Sequence, residues 1–460
     1  MEAIEERNKQ LEIDDIKYIW HPFTQMQGYV REKPLIIEEG KGSILRDIYG
    51  NEYLDGVSSL WTNVHGHGKE KLDRAIKEQL GKIAHSTLLG LSNVPAIICA
   101  KKLIKIAPEG LTRVFYSDNG STAMEVALKM AFQYHQQSPD GDSGKTKFIS
   151  FKNDYHGDTI GSVSIGGIDL FHATYKALLF ESFKAESPYC YRCAFGKTYS
   201  SCDFDCLNQV EELMKSHAHE VAALVIEPLV QGAAGILVHP PGYLKRIRDL
   251  CTTCGIIMIA DEVAVGFGKT GKMFACEHEG VAPDIMALAK GISGGYLPLA
   301  ATLTNEKIYE GFLGEYEEFK TFFHGHTYTG NPLACAATIA NLEVFEEERT
   351  LEKLQGKIEY FKNRLQPFNS LSHVGEVRQC GFMVGIELVA DKESKEQFPV
   401  RDRIGHHVIL EARKRGLIIR PLGDVIILMP PLSITTDEID RMCDITCESI
   451  RVVTEKKKNM

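Results

Sequence analysis

Two short apolar segments that end in ionisable residues constrain the fold of this chain more than any other feature. The first, residues 254–262, reads CGIIMIADE and ends in Asp261 and Glu262. The second, residues 283–291, reads PDIMALAKG and contains Lys290. Short, continuous apolar runs of this kind are typical of buried strands in a parallel sheet. Because sites in such sheets lie beyond the carboxyl ends of the strands, we expect Asp261 and Lys290 to face one pocket.

A buried lysine beside a buried acid has a specific chemical use. A desolvated lysine has a lowered pKa and forms Schiff bases with aldehydes, which is how pyridoxal phosphate is held. A carboxylate at the pyridinium nitrogen keeps that ring protonated, so that the ring acts as an electron sink. Lys290 and Asp261 are candidates for these two roles. The spacing alone equally allows two core strands that are capped by solvated charges.

Composition excludes several classes of function. The chain has 460 residues, enough for two domains, and a net charge of −10. Nucleic-acid and anionic-membrane binding need basic surface, so neither partner is expected. The first residues, MEAIEERNKQLEIDD, are acidic and lack the apolar core of a secretory signal, and no apolar run has transmembrane length. We therefore expect a cytoplasmic protein.

Four of the twelve cysteines form a separate pattern. Residues 190–206 read CYRCAFGKTYSSCDFDC, a CxxC followed by a CxxxC. This spacing is compatible with zinc or an iron–sulfur cluster held by Cys190, Cys193, Cys202 and Cys206. The two halves lack the symmetry of a zinc ribbon, so we favour a cysteine-rich surface loop and predict no metal site.

An anion-binding turn is predicted near residue 120. Residues 114–116 read as a short strand, and helical spacing of apolar residues begins at Thr122. Gly120 and Ser121 therefore lie at the turn into a helix N-terminus, where free N–H groups, the helix dipole and a hydroxyl favour a phosphate. Ser121 acting only as a helix cap is the alternative.

Strands and helices alternate along the middle of the chain. A strand at 148–151 leads into Tyr155 and His156, an aromatic pair suited to stacking on a flat ring, and a buried strand at 222–227 precedes a helix at 243–251. This alternation predicts an α/β sheet. Later segments predict a smaller α+β domain, with helices at 333–347, 351–365 and 403–415 and strands at 374–378, 382–388 and 417–420.

The N-terminal segment also has a predicted place. Residues 44–57 read as a hairpin with its turn at Tyr49–Asn51, and these first strands lack a partner nearby in sequence. We therefore expect the hairpin to pack against the smaller domain. The predicted division is an N-terminal segment at 1–68, a large domain at 69–330 and a small domain at 331–460.

Taken in order, the motifs resemble those of the class III pyridoxal-phosphate aminotransferases. The matching residues are Gly120-Ser121, Tyr155-His156-Gly157-Asp158, Glu227, Gln231, Asp261-Glu262-Val263, Gly266-Phe267-Gly268, Lys290-Gly291 and Thr327. The resemblance covers nearly the whole chain. It implies the type I fold of pyridoxal-phosphate transferases, in which a large α/β domain with a mainly parallel sheet is joined by a small α+β domain from both chain ends. It also implies a homodimer with shared active sites.

The resemblance further implies roles for individual residues. Lys290 would hold the cofactor aldehyde and move a proton between carbon centres, Asp261 would pair with the ring nitrogen, and Tyr155 would lie against the ring. The other implied cofactor contacts are Gly120, Ser121 and Gln231, with His326 and Thr327 from the partner subunit. The implied substrate contacts are Phe23, Trp61, Tyr155, Gly325 and Arg420, of which Arg420 would clamp a distal carboxylate.

Within the family, the chain resembles the biotin-pathway subfamily, whose members convert 8-amino-7-oxononanoate to 7,8-diaminononanoate with S-adenosylmethionine or lysine as amino donor. The segments that carry this resemblance include WHPFTQM at 20–26 and IRPLG at 419–423. Two residues depart from the common pattern: Lys269 stands where arginine is usual, and Phe23 where many users of S-adenosylmethionine have tyrosine. These departures favour lysine as donor. The alternatives are an ω-amino acid:pyruvate aminotransferase, acting on β-alanine, taurine or a diamine, and a non-enzymatic binding protein.

Overall fold

A computed structural model defines the fold for residues 2–199 and 201–455. Its largest element is a seven-stranded sheet, in which one strand runs antiparallel to both of its neighbours and all others are mutually parallel. The antiparallel strand is the second in the order across the sheet, which is β4 (Leu111–Ser117), β12 (Ala300–Asn305), β11 (Ile285–Leu288), β10 (Ile257–Asp261), β7 (Val221–Ile226), β5 (Lys147–Phe151) and β6 (Phe183–Ala185). The mainly parallel α/β sheet predicted from the sequence is confirmed.

The central strands of this sheet are covered on both faces. All residues of β7, β10 and β11 are buried. Successive side chains of β7 enter different hydrophobic clusters, as Leu224 and Val225 do. This burial on both sides is why these strands read as unbroken apolar runs and not as alternating patterns.

Helices surround the sheet and begin and end where capping residues allow. Those connected to it are α4 (Glu70–Leu80), α5 (Val94–Ile106), α6 (Gly120–Gln137), α7 (Ile160–Ile165), α8 (Asp169–His172), α9 (Asp205–His217), α10 (Tyr243–Cys254), α11 (Glu306–Glu310) and α12 (Pro332–Glu347). The Asn331 side chain caps α12 by accepting from the N–H groups of Leu333 and Ala334, and α12 packs against α4 and α5. A left-handed glycine, Gly255, ends α10 (φ 61°).

Both ends of the chain contribute to the remaining sheets. One contains β1 (Ile37–Lys41), β2 (Ile44–Asp47), β3 (Glu52–Asp55) and β15 (Leu417–Ile418), with β15 parallel to β3. Another contains β13 (Val374–Cys380), β14 (Met383–Leu388), β17 (Val425–Leu428) and β16 (Arg420–Leu422), and β8 (Val230–Gln231) pairs with β9 (Leu237–Val238). The remaining helices are α1 (Glu2–Tyr18), α2 (Met26–Tyr29), α3 (Ser58–Trp61), α13 (Thr350–Leu365), α14 (Ile404–Lys414) and α15 (Thr436–Glu455).

The predicted hairpin is present, and its turn has a clear cause. Asp47 accepts hydrogen bonds at Oδ1 from the N–H groups of Tyr49 and Asn51, both at 2.9 Å, which closes the turn between β2 and β3. The prediction of one strand at 417–420 is wrong. The segment divides at Ile419 into β15 and β16, because β15 pairs with β3 from the other end of the chain whereas β16 pairs with β17. In the described part of the chain, no helix combines the length and hydrophobicity needed to cross a membrane.

Candidate active site

One edge of the central sheet collects the candidate residues. The residues that follow each strand there are Gly120 and Ser121 after β4, Tyr155 and His156 after β5, Glu227 after β7, Asp261 at the end of β10 and Lys290 after β11. All of them line a single cavity of about 750 Å³, together with Trp61, Val263 and Ala264. The expectation that Asp261 and Lys290 face the same pocket is therefore met by the fold.

The N-terminus of α6 forms one end of this cavity. Asn119 caps the helix by accepting from the Thr122 N–H, which leaves the N–H groups of Gly120 and Ser121 in a first turn that no earlier carbonyl serves. A Cβ on Gly120 would lie 2.6 Å from Val263 Cγ1, so only glycine allows this approach. Ser121 Oγ accepts from the N–H of Thr159 at 3.0 Å, which fixes its hydroxyl beside these free N–H groups. The arrangement suits a phosphate.

A buried histidine supports Asp261 from behind. His156 Nδ1 lies 2.7 Å from Asp261 Oδ2, and His156 Nε2 lies 3.5 Å from Asp154 Oδ2. Burial alone would lower the pKa of His156, but the two carboxylates overcome that effect and raise it to about 10. The imidazole is therefore held as a cation between two anions, and the other oxygen of Asp261, Oδ1, accepts from the Val263 N–H at 3.0 Å.

Glu227 is a second carboxyl group in the cavity wall. Its two oxygens accept from the N–H groups of Tyr155 at 3.0 Å and Gly232 at 2.8 Å. Burial, followed by the negative charge of Asp154, raises the pKa of Glu227 to about 8. Glu227 thus favours its neutral form at neutral pH, while Asp261 lies beside the cationic His156.

Lys290 projects from a strained position toward an aromatic ring. Its backbone is left-handed (φ 46°), a conformation that non-glycine residues adopt at a cost and often at functional sites. Nζ lies 4.9 Å from the centre of the Trp61 ring. Burial lowers the pKa of the Lys290 ammonium, whereas the charge of Asp261 opposes this shift. A lowered pKa gives the amine access to its neutral, nucleophilic form.

The predicted substrate residues have different positions relative to the cavity. Trp61 and Tyr155 line it directly. Phe23 is 57% exposed and contacts Phe171 (ring centres 5.4 Å apart), which in turn contacts Tyr155 at 6.1 Å. Arg420 is half-buried. Burial lowers the pKa of its guanidinium, and the nearby Tyr155 opposes that shift.

Phe23 and Arg420 do not line the cavity, and four further predicted residues also lie outside its wall. Gln231 donates to Asp154 Oδ1 at 2.7 Å and accepts from the Ser187 hydroxyl, so it lies behind the wall and supports the partner of His156. Gly325 and Thr327 are exposed, and His326 is half-buried, with a buried Nε2 that has no hydrogen-bond partner in the described part of the chain. These last three residues do not contribute to the cavity of their own chain.

The sequence predictions missed the contacts of two residues that the fold brings to the centre of the site. Glu227 was given no contact, and His156 was expected to stack on a flat ring with Tyr155, whereas its fully buried imidazole bonds to Asp261. Glu227 carried a usable signal, because AALVIE at 222–227 is an apolar strand that ends in a carboxylate, the same pattern that singled out Asp261. His156 carried none, since its position between two aspartates depends on contacts distant in sequence.

The four cysteines of residues 190–206 line a separate cavity of about 20 Å³. Burial and the neighbouring thiols raise the pKa of Cys190 and of Cys206 to about 11, which keeps both thiols neutral. Within residues 2–199 and 201–455, no group of three or more His, Cys, Asp or Glu side chains is arranged to hold a metal ion.

Comparison with known proteins gives a consistent result. Residues 26–450 match the family model of the class III aminotransferases. The adenosylmethionine-8-amino-7-oxononanoate aminotransferase of Nitratidesulfovibrio vulgaris is 59% identical over 449 residues, 98% of this chain and 83% of that protein. The crystal structure of the enzyme with the same name from Methanocaldococcus jannaschii is 50% identical, with a TM-score of 0.92 over 97% of this chain and 99% of that one.

A further structural relative is crystallised with the cofactor. It is an amine transaminase from an uncultivated Pseudomonas species in its PLP-bound form, 37% identical, with a TM-score of 0.90 over 95% of this chain and 99% of that one. The residues present here fit pyridoxal phosphate, because a helix N-terminus for a phosphate, a carboxylate for a ring nitrogen and a lysine for an aldehyde line one cavity. The chain belongs to the class III aminotransferases, which use pyridoxal phosphate.

Proposed function

We propose that this aminotransferase converts 8-amino-7-oxononanoate to 7,8-diaminononanoate in biotin synthesis, with S-adenosylmethionine as amino donor. The names of relatives at 59% and 50% identity support this substrate. The observation in the fold that carries the proposal is Arg420, a cation near the cavity residue Tyr155 that forms no ion pair with the described residues. The long keto substrate has a carboxylate at the end remote from its reacting carbon, and the proposal pairs that group with Arg420.

The environment of Arg420 supports an anionic ligand. Its guanidinium is half-buried, and it forms no hydrogen bond or ion pair with the described residues. Burial lowers the pKa of Arg420, with Tyr155 opposing the shift. A partly desolvated cation without a partner is unfavourable, and a planar guanidinium matches a carboxylate through two parallel hydrogen bonds. A carboxylate that reaches past Tyr155 would satisfy it.

The chain's own residues divide the chemical work. Pyridoxal phosphate supplies an electron sink when it is bound. Asp261, held by His156, provides a fixed negative charge for the ring nitrogen. Lys290 holds and moves the proton, since burial lowers its pKa and gives the amine access to its neutral, proton-accepting form. Trp61 and Tyr155 form apolar walls that exclude water from the reacting atoms.

The identity of the amino donor depends on Lys269 less than its sequence position suggests. Lys269 is 1% exposed, and its ammonium bonds to Ser58 Oγ and to backbone carbonyls, so it does not line the cavity. The departure at Lys269 therefore gives no support to lysine as donor. Phe23 is the one remaining feature in favour of lysine, and the relatives' names carry adenosylmethionine. We propose S-adenosylmethionine on this balance.

We also infer a homodimer with shared active sites, in which Gly325, His326 and Thr327 serve the partner's cavity. The three residues lie outside the cavity of their own chain, where Gly325 and Thr327 are exposed and His326 is half-buried, which supports this arrangement. The same segment exposes aromatic side chains, with Phe323 70% and Tyr328 63% accessible, which a partner would cover. Sedimentation equilibrium should give twice the chain mass; a monomer at working concentrations would contradict the inference.

The proposed compartment is the cytoplasm. All twelve cysteines are free thiols, including the four that lie together in residues 190–206. Clustered free thiols are typical of reducing compartments, where disulfides do not persist.

Lys290 is expected to be the residue that holds the cofactor. Replacing it (Lys290→Ala) should abolish transamination without loss of the fold, because no other lysine among the described residues lines the cavity. Borohydride reduction of the wild-type holoenzyme, followed by peptide mapping, should label Lys290. Lys184 provides a matched control: burial lowers its pKa to about 8, but it bonds to Ser150 Oγ away from the cavity. A label on Lys184 would refute the assignment.

The substrate and donor are tested in one set of reactions. The enzyme is mixed with 8-amino-7-oxononanoate and either S-adenosylmethionine or lysine, and 7,8-diaminononanoate is detected by mass spectrometry. We expect product with S-adenosylmethionine. Product with lysine but not with S-adenosylmethionine would overturn the proposed donor, whereas the proposed keto substrate would still be correct. If neither donor reacts but β-alanine or taurine does, the alternative ω-amino acid:pyruvate activity is correct, as the amine transaminase relative allows.

Arg420 is expected to determine recognition of the keto substrate. Truncating one partner of a buried charge-assisted pair typically costs about 2–5 kcal/mol. Arg420→Ala should therefore raise the KM for 8-amino-7-oxononanoate strongly and affect donor loading less, as measured by single-turnover absorbance. Arg413→Ala is the matched control, since burial also lowers the pKa of Arg413 but its neighbours are Glu32, Tyr53 and Tyr29. An equal rise in KM for both substitutions would contradict the role of Arg420 in binding the substrate carboxylate.

A further inference from the structure

The turn that carries Trp61 into the cavity has an unfavourable backbone. Four consecutive residues without glycine, Ser58, Ser59, Leu60 and Trp61, have φ values of 51°, 47°, 71° and 71°. Left-handed conformations place Cβ too close to the following carbonyl, so residues with side chains normally adopt them singly. Contacts elsewhere must hold this turn.

A buried lysine makes the contacts that hold one side of the turn. Lys269 Nζ donates to Ser58 Oγ at 2.8 Å, to the Asn63 carbonyl at 3.2 Å and to the Pro430 carbonyl at 3.3 Å. An ammonium has three N–H donors, and all three are used. Burial lowers the pKa of Lys269 to about 7, which the charge of Asp55 opposes, whereas three acceptors favour the protonated form.

Asp55 holds the other side of the turn. Its Oδ1 accepts from the N–H groups of Val57 at 3.2 Å and Ser59 at 3.0 Å. Its Oδ2 accepts from Ser59 Oγ at 2.9 Å and lies 3.0 Å from His67 Nε2. The turn is thus fixed between a buried cation and a buried carboxylate.

The backbone of Lys269 is itself firmly placed. Its carbonyl accepts from the Phe382 N–H at 2.8 Å, in the turn between β13 and β14. A Cβ on Gly381 would lie 2.6 Å from the Lys269 carbonyl oxygen, so the two backbones meet at a distance that only glycine permits. Lys269 therefore joins the N-terminal turn to the C-terminal strands.

We propose that Lys269 is a positioning residue for the aminotransferase site: its ammonium holds the left-handed turn Ser58–Trp61 and so keeps the Trp61 ring against Lys290. Trp61 is 5% exposed, and its ring centre lies 4.9 Å from Lys290 Nζ. Without Lys269, Ser58 would lose a donor and the turn would relax toward ordinary backbone angles. The substrate cavity would then lose one wall. This role rests on the aminotransferase site and not on any particular keto substrate.

Trp61 itself reports the outcome. The chain has two tryptophans, and the other, Trp20, is 86% exposed. In a full-length Trp20→Phe background, all tryptophan emission comes from Trp61. Emission and its quenching by acrylamide are measured with and without pyridoxal phosphate, for the parent, for Lys269→Met and for Lys269→Arg.

We expect a red shift and stronger quenching in Lys269→Met, because Trp61 leaves its buried position. Activity should fall by about 100-fold, which is the typical cost when loss of a supporting residue moves a group of the site by about 1 Å. Lys269→Arg should restore much of both signals, since a guanidinium also donates to several acceptors. Lys145→Met is the control: Lys145 is buried and bonds to the Gly255 carbonyl, and its loss should leave Trp61 emission unchanged.

A glycine in the turn keeps the proposal testable if Lys269→Met folds poorly. Leu60 has φ 71° and is 48% exposed, so Leu60→Gly removes the backbone cost at this one position with a moderate loss of packing. In the Lys269→Met protein, Leu60→Gly should recover buried Trp61 emission. Parent-like emission in Lys269→Met, or no recovery with Leu60→Gly, would overturn the proposal. Because emission is read without substrate, failure of the proposed keto substrate would leave this test unaffected.

Discussion

The hydrogen bond between His156 Nδ1 and Asp261 Oδ2, 2.7 Å long and wholly buried, is the interaction on which the site depends. An isolated carboxylate at the end of a buried strand would be costly to keep ionised. A histidine that Asp154 also holds removes that cost, since the cation lies between two anions. Gln231 then bonds to Asp154, so the support for Asp261 extends two residues behind the cavity wall.

The ionisable groups around this cation differ in their protonation states. Glu227 and Asp261 line the same cavity, yet burial and nearby negative charge raise the pKa of Glu227 to about 8, while Asp261 has the imidazolium as its neighbour. Lys290 faces both, with its pKa lowered by burial. The site therefore presents a fixed anion, a neutral acid and an amine with access to its neutral form. These are the groups that a pyridoxal-phosphate enzyme needs in separate places.

The sequence predicted those parts of the site that depend on local pattern. Asp261 and Lys290 follow apolar strands, and Gly120 begins a helix, so each could be located from its own segment. Long-range contacts were not predictable in this way. No local signal places His156 between two aspartates, or divides residues 417–420 between sheets formed with opposite ends of the chain. Lys269 shows most clearly what local sequence cannot predict. Its motif suggested a contact with the amino donor, whereas in the fold its ammonium is buried and bonds to Ser58.

The central claim is that the His156–Asp261 pair holds a negative charge at the cofactor ring. The most direct measurement is the ¹⁵N chemical shift of pyridoxal phosphate labelled at its ring nitrogen and bound to the enzyme, followed as pH is varied. The account predicts a nitrogen that stays protonated through neutral pH, because the Asp261 carboxylate, which His156 holds in place at 2.7 Å, stabilises a positive charge at that nitrogen. A ring nitrogen that loses its proton near neutral pH would contradict it.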